Sequence, residues 1–386
     1  MNVLIVYSRS VDIDDSGGAR TTIELANYLA EKSNCKVFCA FNILKGNAGK
    51  VVECPVSGND LITEYKNIIN SYMIDCVLIP EGYMLTGAVY EAVKGTRCKI
   101  ISALHNQPGY ERKRVYVDLI HSMRYNEVKW KRFRAFVILL MYPIFYYIYT
   151  RSIMKRFKLA YEMSDRFVLL SDRFFNSFVE KYNLKDGGRK LVAIPNGLSF
   201  GNVFLTNEEY NEKENVCLIV GRLNEQQKRL SMAIKIWSKL EPLFPNWRME
   251  IVGFGRSEPF YRDLVNRYKL KRISFEGKQA PLQYYKRAKI FFMTSAFEGF
   301  GMTLTEAQQM GCVPVAIDSY EALHDIIEDG HNGCIASNEN EFVEKVKRLI
   351  SSSNMLKEMS DNGINTCKKF QRENIYEKYY LMLNEL

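Results

Sequence analysis

KIFFMTSAFEGFGMTLTE, residues 289–306, decides how the chain is read. KIFFMTS is bulky and apolar without alternation, the composition of a strand buried on both faces of a parallel sheet. FEGFG follows as a loop, and MTLTEAQQM reads as a helix closed by Gly311, with Pro314 beyond it. Glu298 and Glu306 lie eight residues apart, about 80° out of register on one continuous helix of about 3.6 residues per turn. With Glu298 in the loop and Glu306 one turn into the helix, both can instead face one pocket. Gly299 and Gly301 would let backbone N–H groups approach a ligand, and the helix start offers its dipole to a phosphate. A carboxylate pair accepts hydrogen bonds from a polyol. The competing reading is a capping glutamate and a surface glutamate.

The same strand signature recurs along the chain. NVLIVY (2–7), KVFCAF (36–41), CVLIP (76–80), KIISAL (99–104), RFVLLS (166–171) and KLVAIP (190–195) precede a polar stretch at 199–214. VCLIVG (216–221), RMEIVG (248–253), RISFEG (272–277) and VPVAID (313–318) accompany KIFFMTS after it. Amphipathic stretches such as TTIELANYLAEKS and RLSMAIKIWSKLEPLF fall between them, which predicts βαβ units. The fold class is therefore α/β, in two doubly wound halves with strand carboxyl ends facing a cleft. The boundaries are set at 1–198 for an N-terminal domain and 199–371 for a C-terminal domain; a family resemblance set out below implies acceptor binding for the first and nucleotide-sugar binding for the second. Residues 372–386 are read as a closing helix, and the family's fold implies that it packs back on the first domain.

The chain has 386 residues, enough for two cores, and ordinary globular composition, with 47% apolar and 25% charged residues. Its nine cysteines form no C-x-x-C pair and no Cys/His cluster, so they read as core residues of a reducing compartment, with no zinc site. MNVLIVYSRS lacks a basic leader, so a cytoplasmic protein is expected. Residues 111–158 hold 12 Lys and Arg against 3 Asp and Glu, which accounts for the whole net charge of +9. Within them, fifteen apolar or aromatic residues, Ala135 to Tyr149, lie between basic clusters. As a helix they span roughly 22 Å, short of a hydrocarbon core of about 30 Å, and Pro143 interrupts them. The segment is read as part of the N-terminal domain and as a contact to an anionic membrane surface, peripheral on its inner face. A buried helix with a solvated basic rim is the alternative; no nucleic-acid module is recognisable.

Two further segments carry chemistry. In SGGARTTIELANYLA (16–30), Gly17 and Gly18 form a loop before a helix that Thr21 or Thr22 can cap, a setting for phosphate. Asp12-Ile13-Asp14 beside it matches a metal-binding D-x-D only as a string. In VGRLNEQQKR (220–229), Arg222 and Lys228 can neutralise a diphosphate. Alone, each has an ordinary alternative, a turn and two solvated basic residues.

Taken together, the glycine pair, IPNG (194–197), G-R-x5-K (221–228) and E-x7-E followed by EAQQMGCVPVAID resemble the retaining glycosyltransferases of family 4. That resemblance implies GT-B architecture, two facing Rossmann-like domains. It assigns Arg222 and Lys228 to the donor diphosphate with the Gly17–Gly18 loop, Glu298 to the donor sugar and Glu306 to the ribose. Backbone N–H groups of Phe300, Gly301 and Met302 would contact sugar and phosphates, His105 would lie beside the sugar, and Lys278 would meet the base. Arg229 departs from the family, where glycine is common; Gln309 departs too, and is read as surface variation. The resemblance implies metal-independent, retaining transfer of a hexose-type sugar from a nucleoside diphosphate sugar, UDP-linked, without cofactor. The acceptor would be a glycan, lipid-linked if the membrane contact holds, in building a surface polysaccharide. A sugar-nucleotide epimerase of the same fold and a non-catalytic sugar-nucleotide-binding protein are the alternatives.

Overall fold

The computed structural model describes residues 1–13, 17–45, 49–126 and 128–386. They form two compact units. The first comprises Met1–Gly109, Thr150–Ser199 and Phe370–Leu386, and the second Tyr110–Tyr149 and Phe200–Lys369.

In the first unit the strands are β1 (Asn2–Ile5), β2 (Val11–Asp12), β3 (Lys36–Cys39), β4 (Ile43–Lys45), β5 (Val52–Glu53), β6 (Cys76–Ile79), β7 (Lys99–Leu104), β8 (Arg166–Leu169) and β9 (Leu191–Ala193). Seven form a parallel sheet in the order β5-β3-β1-β6-β7-β8-β9, and β2 pairs with β4 apart from it. The chain moves outward from β1 through β3 to β5, then returns to β6 and proceeds the other way. The order therefore reverses between β1 and β6, the place where an open α/β sheet leaves a crevice at its strand ends. β6 is buried throughout, CVLI, because helices cover both faces. The helix Arg372–Asn384 belongs to this unit: Tyr376 donates to Glu24 at 2.9 Å, and Lys32 pairs with Glu377 at 2.6 Å.

The second unit holds β10 (Glu214–Val220), β11 (Arg248–Val252), β12 (Ile273–Gly277), β13 (Ala288–Met293), β14 (Val313–Ile317) and β15 (Cys334–Ala336). Its parallel sheet has the order β12-β11-β10-β13-β14-β15, so the reversal falls between β10 and β13. The helix Leu230–Leu240 presents Leu230, Ala233, Ile234, Trp237 and Leu240 to the core, positions three and four apart that make one face at helical period.

Residues 110–149 group with this second unit, not with the first as their place in the chain suggested. Long-range contacts decide it. Asp118 pairs with Arg256, Arg114 with Glu225 at 3.2 Å, and His121 stacks edge-on against Phe260 at 4.8 Å. The apolar run is also not one helix. Lys129–Leu140 and Tyr142–Met163 meet at a 97° bend, and Pro143 is the second residue of the later helix, where its missing N–H costs nothing. Among the described residues no single helix is long and apolar enough to cross a membrane, although this bent pair together passes that test. Nor is the run buried: Phe136, Val137, Leu140, Met141, Ile144 and Ile148 are all exposed, as are Trp130 and Phe133 just before it.

Candidate active site

The ends of β10 and β13 lie side by side because those strands pair directly, Cys217 opposite Ile290 and Leu218 opposite Phe291. Each strand runs into a loop that carries predicted residues, so the reversal point of the second sheet gathers them from different parts of the sequence. After β10 the backbone turns through Gly221, and after β11 through Gly253 at φ 143°. A Cβ at Gly253 would collide with the carbonyl oxygen of Gly221, so this crossing requires glycine.

The loop from Asn224 to Arg229 is stitched to the loop after β13. Asn224 closes a side-chain turn, its Oδ1 accepting from Gln226 N–H at 2.8 Å and Gln227 N–H at 3.3 Å. The N–H of Ala296 donates to the Gln227 carbonyl at 2.7 Å, and the Thr294 hydroxyl donates to the carbonyls of Lys228 and Arg229, both at 3.1 Å. These contacts bring Lys228 Nζ to 2.5 Å from Glu298 Oε1, and Gln227 Nε2 donates to the other carboxylate oxygen at 3.3 Å. Glu298 is buried. An ammonium has three donors, so one carboxylate fixes its position while the others stay available to an anion.

Arg229 takes φ 55°, the left-handed region that favours glycine, at the start of the helix Leu230–Leu240. Strain of about 1 kcal/mol is usual there, and it is offset by its guanidinium, whose Nε donates to the Thr294 carbonyl at 2.9 Å. That is the physical sense of the glycine that the family resemblance implies here.

Glu306 is the fifth residue of the helix Met302–Gln309 and is buried, accepting a hydrogen bond from the Tyr285 hydroxyl at 2.8 Å. Neither glutamate is therefore a surface residue. Gly301 precedes that helix at φ 96°, where a Cβ would strike the Tyr320 hydroxyl; the same hydroxyl donates to the Phe300 carbonyl at 3.1 Å. Arg222 is exposed just beyond β10, and Lys278 is exposed just beyond β12 with its amine 5.4 Å from the Phe254 ring centroid.

Gly17, Gly18 and His105 belong to the first unit. The glycines are not a loop: they open the helix Gly17–Glu31, and the Thr21 and Thr22 hydroxyls donate back to their carbonyls at 2.9 and 2.8 Å instead of capping. Packing explains this, since Ala19, Ile23 and Ala26 bury the helix's inner face and hold its first turn despite glycine's low propensity. Asp12 lies in β2, 3.6 Å from Lys45, while Asp14 falls outside the described residues. His105 follows β7 and lines a small hollow with Thr21, Thr22, Pro80 and Tyr379. Burial pushes its imidazole down to about 4, opposed by the Asn196 amide, and its buried Nδ1 has no hydrogen-bond partner in the structure. A ring in that state is neutral near pH 7 and can accept or donate one hydrogen bond to a ligand.

Sequence reading missed several residues here. Gln227 holds Glu298, Tyr285 holds Glu306, and Glu81 at the end of β6 accepts from the Ser8 N–H at 2.5 Å and hydroxyl at 2.9 Å across the first sheet's reversal point. Only Gln227, inside VGRLNEQQKR, stood in a stretch already singled out. Gln309 is corrected outright. It is fully buried, and its Nε2 donates to the carbonyls of Gly201 and Val203 at 2.8 and 2.7 Å.

A doubly wound sheet whose order reverses beside a cation–carboxylate pair defines the class, an open α/β domain with a crevice at its strand ends. More specifically, residues 205–366, within the second unit, match the model of glycosyl transferases group 1. A lipopolysaccharide 1,6-galactosyltransferase of Salmonella typhimurium is 30% identical over 172 residues, 42% of this chain and 46% of that protein. A Campylobacter jejuni alpha-1,4-N-acetyl-D-galactosaminyltransferase, whose name gives it an undecaprenol-diphosphate-linked glycan, is 26% identical over 179 residues, 45% of this chain and 49% of its own length. The chain spans about half to two thirds of the curated relatives it matches. Among solved structures, HepE from Anabaena in complex with UDP-glucose has a TM-score of 0.72 at 14% identity, and the lipopolysaccharide outer core galactosyltransferase WaaB 0.69 at 17%, each covering 100% of both chains. The fold is that of these GT-B glycosyltransferases.

Proposed function

We propose that the protein is a retaining glycosyltransferase of family 4, which moves a hexose-type sugar from a UDP-linked donor to a glycan acceptor in cell-surface polysaccharide synthesis. The observation that carries this reading is the Lys228–Glu298 pair at the second sheet's reversal point, within a group 1 glycosyltransferase domain. Lys228 and Arg222 stabilise the charge that develops on the departing diphosphate, and the helix starting at Met302 adds its dipole. Glu298 accepts hydrogen bonds from sugar hydroxyls, and Glu306 from the ribose. Phe300, Gly301 and Met302 contribute backbone N–H groups, and Lys278 meets the base. From the first unit, His105 and the helix opened by Gly17 and Gly18 are assigned to the donor. The leaving phosphate accepts the acceptor's proton on the same face, so no metal and no side-chain base are assigned. Incubation with a panel of nucleotide sugars, with and without membrane extract, tests this. Acceptor-dependent release of UDP supports it; donor converted without acceptor indicates an epimerase, and binding without turnover a binding protein.

The acceptor is proposed to be lipid-linked, and the protein to work on the inner face of the plasma membrane. Trp130 and Leu140 are 67% and 68% exposed on a segment that carries the whole excess of positive charge. Each basic residue near an anionic surface contributes about 1 kcal/mol. Of the three tryptophans, Trp237 and Trp247 are buried, so fluorescence reports Trp130 selectively. Anionic vesicles are expected to blue-shift the emission and float the protein, zwitterionic vesicles to do neither, and high salt to weaken both. Retention of RNA with no response to anionic vesicles would sink the membrane reading.

A further inference from the structure

The Asn224–Arg229 loop is held from two sides. One side is the loop after β13, already described. The other is the turn at Lys113–Arg114, reached across 111 residues of sequence. Arg114 Nη1 donates to the carbonyls of Glu225 at 2.6 Å and Gln226 at 3.2 Å, while Nη2 lies 3.2 Å from Glu225 Oε1. Gln226 Nε2 returns a hydrogen bond to the Lys113 carbonyl at 3.0 Å. Glu225 is buried, and its carboxylate also accepts from the Ser231 N–H at 3.2 Å and hydroxyl at 2.7 Å, in the first turn of the helix that follows the loop.

Arg114 itself sits at φ 53°, a backbone conformation that side chains other than glycine rarely adopt, at the start of the helix Val115–Tyr125. A planar fork is spent on two main-chain carbonyls and one carboxylate of a single loop. Packing alone does not need that much direction. Three residues beyond Glu225, the same loop presents Lys228 to Glu298.

We infer that Arg114 is a positioning residue for the donor diphosphate, acting through Glu225 to set the placement of Lys228. The inference rests on the donor site proposed above. It predicts that this loop is not a self-sufficient phosphate binder: the segment before the basic helices supplies half of its scaffold.

Binding of UDP by calorimetry, with melting temperature as a second readout, separates the possibilities. Arg114→Met is expected to weaken UDP roughly tenfold, the scale of coupling between contacting residues, while the far-UV spectrum stays that of the native chain. Arg114→Lys restores charge without the fork and is expected to fall between. Glu225→Gln, which keeps shape and loses charge, is expected to weaken UDP severalfold, and the double variant to be no worse than Arg114→Met alone. Should Arg114→Met fail to fold, Arg114→Lys and Glu225→Gln carry the same test. Native-like UDP affinity in folded Arg114 and Glu225 variants, with only the melting temperature lowered, overturns the inference. Absence of UDP binding in the unaltered protein overturns the donor site first and this inference with it.

Discussion

Lys228→Ala and Glu298→Ala each lose sugar transfer, by about 10²–10³-fold or more, while the protein stays folded. A preorganised charge aimed at a leaving group has that value because it acts where water is excluded and needs no reorganisation during reaction. Lys228 meets those conditions: its amine is 2.5 Å from a buried carboxylate, and its loop is tied to the neighbouring strand end at Ala296 and Thr294. Each single substitution also strands its partner, since the remaining charge is largely buried without compensation. The double variant Lys228→Ala/Glu298→Ala therefore regains stability relative to either single variant without regaining transfer. Rates with a turned-over donor, read beside melting temperatures, check both statements. Full activity in either single variant would refute the assigned roles.

Why the sequence exposed some of this and hid the rest follows from what each feature depends on. Buried parallel strands must be continuous apolar runs, and all eleven such runs became strands. The elements it hid, Val11–Asp12, Ile43–Lys45, Val52–Glu53 and Cys334–Ala336, are two or three residues long and leave no such run. The strand–loop–helix reading of 289–310 puts Glu298 in the loop and Glu306 in the helix, and the helix does start at Met302 between them. By contrast, Gln309 follows a local pattern that suggests surface. Its helix has no solvent face over Leu304–Gln309, and the carbonyls of Gly201 and Val203 require a donor from it. Residues 110–149 were misplaced for a related reason. Their partners Glu225, Arg256 and Phe260 lie more than a hundred residues away, and nothing local in charge or periodicity encodes them.

Lys213 makes the same point at larger cost, since it stands in the polar stretch that reads as a solvated boundary. Its side chain is buried, and Nζ donates to the carbonyls of Tyr285 at 2.9 Å, Lys286 at 2.9 Å and Ala288 at 2.6 Å. Those carbonyls end the helix Leu282–Arg287 and begin β13, so one ammonium gathers acceptors at a helix terminus, two of which the Cys312 thiol also approaches. Burial pushes the Lys213 amine below its usual range, and the carbonyl cage is what keeps the group inside. Lys213→Met preserves most of the volume but strands the Lys286 carbonyl and leaves those of Tyr285 and Ala288 to share one weak donor, the Cys312 thiol at 2.9 and 3.1 Å; an acceptor left unsatisfied costs about 1–3 kcal/mol. Relaxation recovers part of that, so a loss of about 3–5 kcal/mol in chemical denaturation is expected, the range for an uncompensated buried group. The damage also reaches the site, because Tyr285, whose carbonyl Lys213 holds, directs its hydroxyl to Glu306. Nucleotide affinity in the surviving folded fraction is therefore expected to fall together with stability. A variant as stable as the unaltered chain would show that water or a rearranged backbone satisfies those carbonyls, and that the ammonium is dispensable.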